Sequence, residues 1–212
     1  MKKKFMSLLL IMSFVVLLET PVGAVNQVQS NTLEGMEATA TIFSSETKEE
    51  QEVNISPKSI TILSVSPDGE ETIDVGYSAT IMLEYPQTRA DTGKVTTEAG
   101  VTANLHVVYT ISSNKEQINI TKVYGNWIPG KSYVISNREV GVTNNGASII
   151  KPPRLLKNPT TNTFSYDINW GYQNFVTGTV SAPYAWSEAK SQVPGMGGYY
   201  TITVEFNFPD HR

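Results

Sequence analysis

An all-β fold is the class this sequence predicts, specifically an antiparallel β-sandwich of about eight strands, immunoglobulin-like or jelly-roll. Three observations predict it. From residue 53 onward apolar residues recur with a period of two, the signature of strands with one buried and one wet face. Turn-forming clusters punctuate those runs: Pro67-Asp68-Gly69, Pro129-Gly130, Asn144-Asn145-Gly146 and Pro194-Gly195. Only one stretch has helical character. A closed barrel is the alternative, and the absence of any repeat of fixed period disfavours propellers and solenoids.

The chain opens on an expected signal peptide, residues 1–24. Lys2, Lys3 and Lys4 form a charged start, Met6 to Leu18 are apolar residues and serines, and Val22-Gly23-Ala24 supplies the small residues of a cleavage site. That run is shorter than the roughly 18 residues a membrane span needs, so cleavage after Ala24 is expected and a retained anchor is not. No cysteine follows for lipid attachment, and neither an LPxTG-like sorting signal nor an apolar tail closes the chain at Phe206–Arg212. The expectation is a secreted product free of the membrane, with a start resembling Gram-positive bacterial signals.

Residues 25–52 are expected to form an acidic, largely disordered leader. They hold Glu34, Glu37, Glu46, Glu49, Glu50 and Glu52 against the single base Lys48. Within them, residues 37–43 alternate well enough for a docked edge strand. Residues 53–212 are expected to be one domain, nearly neutral with 13 acids and 12 bases. That balance argues against nucleic acid and anionic lipid as partners.

Strands are expected where the alternation is clearest. Ile73 to Tyr85, Val101 to Ile111, Phe164 to Tyr172 and Tyr200 to Phe208 each place large apolar residues on every second position. Shorter runs at 59–65, 117–124, 132–136 and 139–143 complete the set. Residues 183–192 (PYAWSEAKSQ) predict one short helix, with Ser181 as cap, good helix formers inside, and Pro194-Gly195 to stop it. Residues 86–100 predict a long polar loop holding Arg89, Asp91 and Lys94.

Composition removes much chemistry. Of 212 residues none is cysteine and two are histidine, which excludes disulfides, thiolate metal sites and cysteine nucleophiles. His106 lies on the polar side of its strand and His211 next to the last residue, and no G-x-S-x-G elbow accompanies them. The acidic turn Asp68-Gly69-Glu70-Glu71 with Asp74 lacks the spacing of a calcium loop. No metal or cofactor is expected. Glu84, Asp167, Glu188 and Glu205 are the acids from which a glycoside-hydrolysing pair would be drawn, with Asp167 and Glu205 the favoured pair.

The aromatic residues carry the one suggestion of binding, since 14 of the 18 beyond the signal lie between Tyr124 and Phe208. Trp127, Tyr184, Trp186 and Tyr199 fall in segments read as loops, where ring faces stack on sugar C–H surfaces. Asn126 and Gln173 would supply the polar contacts. The alternative for these rings is to plug the ends of the sandwich. The function expected is therefore non-catalytic: a secreted module binding a wall or matrix glycan, or an extracellular protein. A self-assembling structural protein and a small glycan hydrolase are the alternatives.

Overall fold

The computed structural model describes residues 38–82, 100–143, 154–174 and 183–208. Among them the protein is entirely β, in twelve strands: β1 Ala38–Ser44, β2 Glu50–Ile55, β3 Ser59–Val65, β4 Glu71–Met82, β5 Gly100–Ile111, β6 Gln117–Pro129, β7 Val134–Thr143, β8 Arg154–Lys157, β9 Thr163–Asp167, β10 Gln173–Asn174, β11 Tyr184–Gln192 and β12 Tyr200–Asn207. They form two sheets. The front sheet has the order β2-β1-β12-β11-β7-β8, and the back sheet the order β10-β6-β5-β4-β3 with β9 also on β6. Every pairing is antiparallel.

The period-two pattern explains the core. Ile73, Val75, Tyr77, Ala79 and Ile81 of β4, with Val101, Ala103, Leu105, Val107 and Tyr109 of β5, form the buried face of the back sheet. Ala38, Ala40 and Ile42 of β1, with Ile202, Val204 and Phe206 of β12, answer them from the front sheet. The two layers meet through rings: Tyr77 and Phe206 centroids stand 5.0 Å apart, and Tyr109 meets Phe208 edge-on at 5.0 Å.

Residues 183–192 are not a helix. They form β11, hydrogen-bonded to β12 on one side and β7 on the other. Ala185, Ser187, Ala189 and Ser191 are all fully buried, while Tyr184, Glu188 and Lys190 are half-buried on the other side. Alanine, glutamate, lysine and serine tolerate a helix, but β7 and β12 supply hydrogen-bonded neighbours on both sides of the extended form, and tertiary context overrides propensity. The small residues also leave room for the large rings of the back sheet in the same core.

Three further expectations change. Residues 38–52 do not belong to a disordered leader, because β1 and the first half of β2 lie there and β1 sits inside the front sheet, between β2 and β12. Charge content hid this, since the glutamates of β2 point to solvent at an edge. Residues 125–130 are not a loop either: β6 runs through Trp127 to Pro129, paired with β5 throughout. Gly125 breaks the apolar alternation there because a Cβ would stand 2.1 Å from the backbone oxygen of Asn104. The expected runs 132–136 and 139–143 are one strand, β7. The expected signal peptide, residues 25–37, Arg89, Asp91, Lys94, the turn expected at Asn144-Asn145-Gly146 and His211 lie outside the described residues.

Candidate functional site

The outer face of the front sheet carries a shallow depression of about 330 Å³, lined by Thr41, Phe43, Glu50, Glu188, Thr201 and Thr203. Register builds it. Phe43 of β1 pairs with Glu50 of β2 and Thr201 of β12, and Thr203 of β12 pairs with Glu188 of β11, so four adjacent strands contribute their outward residues. The Thr203 hydroxyl donates to Glu188 Oε2 at 3.2 Å, holding that carboxylate over the sheet. Beyond the depression Lys190 Nζ lies 4.2 Å from the centroid of Tyr199, whose backbone N–H donates to Ser45 Oγ at 2.7 Å. The result is a shallow surface of three hydroxyls, two carboxylates and one ring, a donor and acceptor set that suits a polyhydroxylated ligand.

The six residues proposed from sequence do not form one site. Trp127 is 1% exposed and packs on Phe164 at 4.9 Å between centroids, so it is a core residue. Asn126 lies on the outer face of the back sheet, where its Oδ1 accepts from Asn104 Nδ2 at 2.7 Å. Gln173 is on β10 and donates to the Trp170 carbonyl at 2.9 Å. Tyr184 and Trp186 belong to the front sheet on β11, whereas Tyr199 lies just before β12, beside the opposite end of β11. Trp186 faces outward yet is only 8% exposed, with Tyr184 stacked on it at 5.1 Å, Arg154 over it at 5.7 Å, and its Nε1 donating to Glu139 at 3.1 Å. An exposed tryptophan shelf is therefore absent among the described residues.

Of the depression's residues, only Glu188 figured among the candidates from sequence. Thr41, Phe43, Glu50, Thr201 and Thr203 were missed, although 39–43 and 201–203 alternate visibly. Alternation shows that such residues face outward; it does not show which strands lie side by side.

The favoured acid pair separates as well. Asp167 on β9 belongs to the back sheet and Glu205 on β12 to the front sheet, and Glu84 lies outside the described residues. On the back sheet's outer face, Asp74 accepts a 2.6 Å hydrogen bond from the Tyr124 hydroxyl and stands 3.3 Å from His106 Nδ1. His106 and Tyr124 stack at 4.5 Å. Burial first, then the bond to Asp74 and its charge, push the Tyr124 phenol up to about 12. This is an inter-strand network with a histidine and an aspartate, and among the described residues no serine hydroxyl is bonded to the imidazole. No group of three or more His, Asp or Glu that could hold a metal occurs among the described residues. Comparison with known proteins found no matching family model, no matching curated protein and no matching solved structure.

Proposed function

We propose that this chain is an exported, non-catalytic binding protein that holds a hydroxyl-rich ligand, a glycan, in the depression on its front sheet. The observation that carries the reading is the convergence of Phe43, Thr41, Thr201, Thr203, Glu50 and Glu188 on one outward surface. Carboxylates accept from sugar hydroxyls, threonine hydroxyls both donate and accept, and the Phe43 ring offers an apolar face to a sugar ring. A volume of about 330 Å³ is at the small end of ligand sites, enough for one or two sugar units. The two sheets around one core are read as a β-sandwich, immunoglobulin-like or jelly-roll in kind. Export rests on Lys2–Lys4, the apolar run and Val22-Gly23-Ala24, with cleavage after Ala24.

The test is a glycan array, including wall fragments, probed with the protein collected from culture medium and N-terminally sequenced. Phe43→Ala and Glu188→Gln should each lower affinity tenfold or more while leaving the melting temperature near wild type. The reading falls if no glycan gives saturable binding, or if both variants bind like wild type. Release of reducing ends from a bound glycan would replace it with the hydrolase alternative.

A further inference from the structure

The front sheet ends on two strands of opposite charge. At one edge β2 carries Glu50 and Glu52, with Glu49 just before it, and no base. At the other edge β8 carries Arg154 and Lys157 and no acid. Glu49, Glu52, Arg154 and Lys157 are all exposed. Among the described residues each of these strands pairs on one side only, leaving a row of backbone donors and acceptors on the other.

Strand count makes those edges compatible. The front sheet has six strands, all neighbours antiparallel, so β2 and β8 run in opposite directions. A second copy displaced sideways across the sheet therefore brings its β2 antiparallel to β8 of the first, with no change of orientation. The back sheet cannot do this. Its path has five strands, so its end strands β10 and β3 run the same way, and β3 has a register shift between Ile62 and Ser64 that kinks the edge.

We propose that copies of this chain associate head to tail, β8 of one against β2 of the next, extending the front sheet from molecule to molecule. The register that sets Arg154 opposite Glu52 also sets Leu156 opposite Glu50 and Lys157 opposite Glu49. It keeps faces matched, because Leu156 pairs with outward Gly141 and Glu50 pairs with outward Phe43. Pairing β2 with another β2 would instead oppose glutamates. The contact is heterologous, so it does not close after two copies, and sheet twist turns the series into a helical array. With a strand of four residues and exposed ion pairs, association is weak and weakened further by salt.

Sedimentation velocity over a concentration series at low and high salt tests this. Two double variants are used, Glu49→Lys/Glu52→Lys and Arg154→Glu/Lys157→Glu, each checked by circular dichroism for an intact fold. The expected result is concentration-dependent association of wild type that salt suppresses, at least tenfold weaker association of each variant alone, and restored association when the two variants are mixed. Restoration is specific, since each variant's changed edge complements the edge the other provides. Wild type that stays monomeric at the highest concentration and lowest salt overturns the proposal. So do variants that associate like wild type, or a mixture that gains nothing. No variant alters a residue lining the depression, so glycan affinity is scored independently.

Discussion

The indole of Trp186 occupies the space above Gly141 on the neighbouring strand: a Cβ added at 141 would stand 2.0 Å from Trp186 Cζ2 and 2.1 Å from Cη2. Both residues face away from the core, as paired positions of β11 and β7. The glycine leaves a gap in the sheet surface, and the ring fills it, held by the Nε1 bond to Glu139 and by Tyr184 and Arg154. A tryptophan can thus be almost fully covered on the solvent side of a sheet without entering the core.

Gly141→Ala should destabilise the protein by about 1–3 kcal/mol, the usual cost of overpacking, because neither strand backbone can withdraw. A red shift of tryptophan emission should accompany it as the ring is displaced. Urea denaturation followed by fluorescence checks both. Gly197→Ala, where nothing lies within 4 Å of the added Cβ, is the control and should leave the midpoint within error.

Trp127 gives the opposite result from a ligand-binding residue. Trp127→Ala should cost about 3–5 kcal/mol through the cavity it leaves against Phe164. Trp127→Phe should cost clearly less, since the Trp127 Nε1 has no hydrogen-bond partner among the described residues and no bond is lost with it. A Trp127→Ala midpoint equal to wild type would contradict the core assignment.

Alkaline pH should weaken the fold. The Tyr124 phenol is raised from the ordinary 10.0 to about 12, by burial first and then by its bond to Asp74, so the folded state favours the neutral form. The sign follows: this contribution is complete below the unfolded value, near 10, and is lost as pH rises through about 12. Burial raises Tyr77 and Tyr109 in the same direction. Chemical denaturation at pH 9 and pH 11 should show stability falling between them, less steeply in Tyr124→Phe. A difference titration at 295 nm assigns the phenol, and Asp74→Asn should bring it down toward the ordinary value. A Tyr124 that ionises near 10 in the wild-type protein would remove the basis of this prediction.

Alternation by itself determined the β class, the inward residues of β4, β5 and β12, and the extent of β3, because a side chain's face depends only on its place along its own strand. It failed wherever the deciding partner lies far along the chain. β11 is built from small, helix-tolerant residues, and only β7 and β12 on either side make it a strand. Trp127 beside Gly125 looked like a loop because the glycine's purpose, contact with Asn104 across the sheet, is invisible in one dimension. The acidic run around Glu50 looked disordered because charge is tolerated at a sheet edge, and nothing local marks an edge. The depression exists only through pairing: Phe43, Glu50, Glu188 and Thr203 come together because β1 and β12, distant in sequence, are adjacent in space. Tertiary structure alone decided which outward residues became neighbours, since hydrogen-bonded register between remote strands is set by the shared core and not by any single segment.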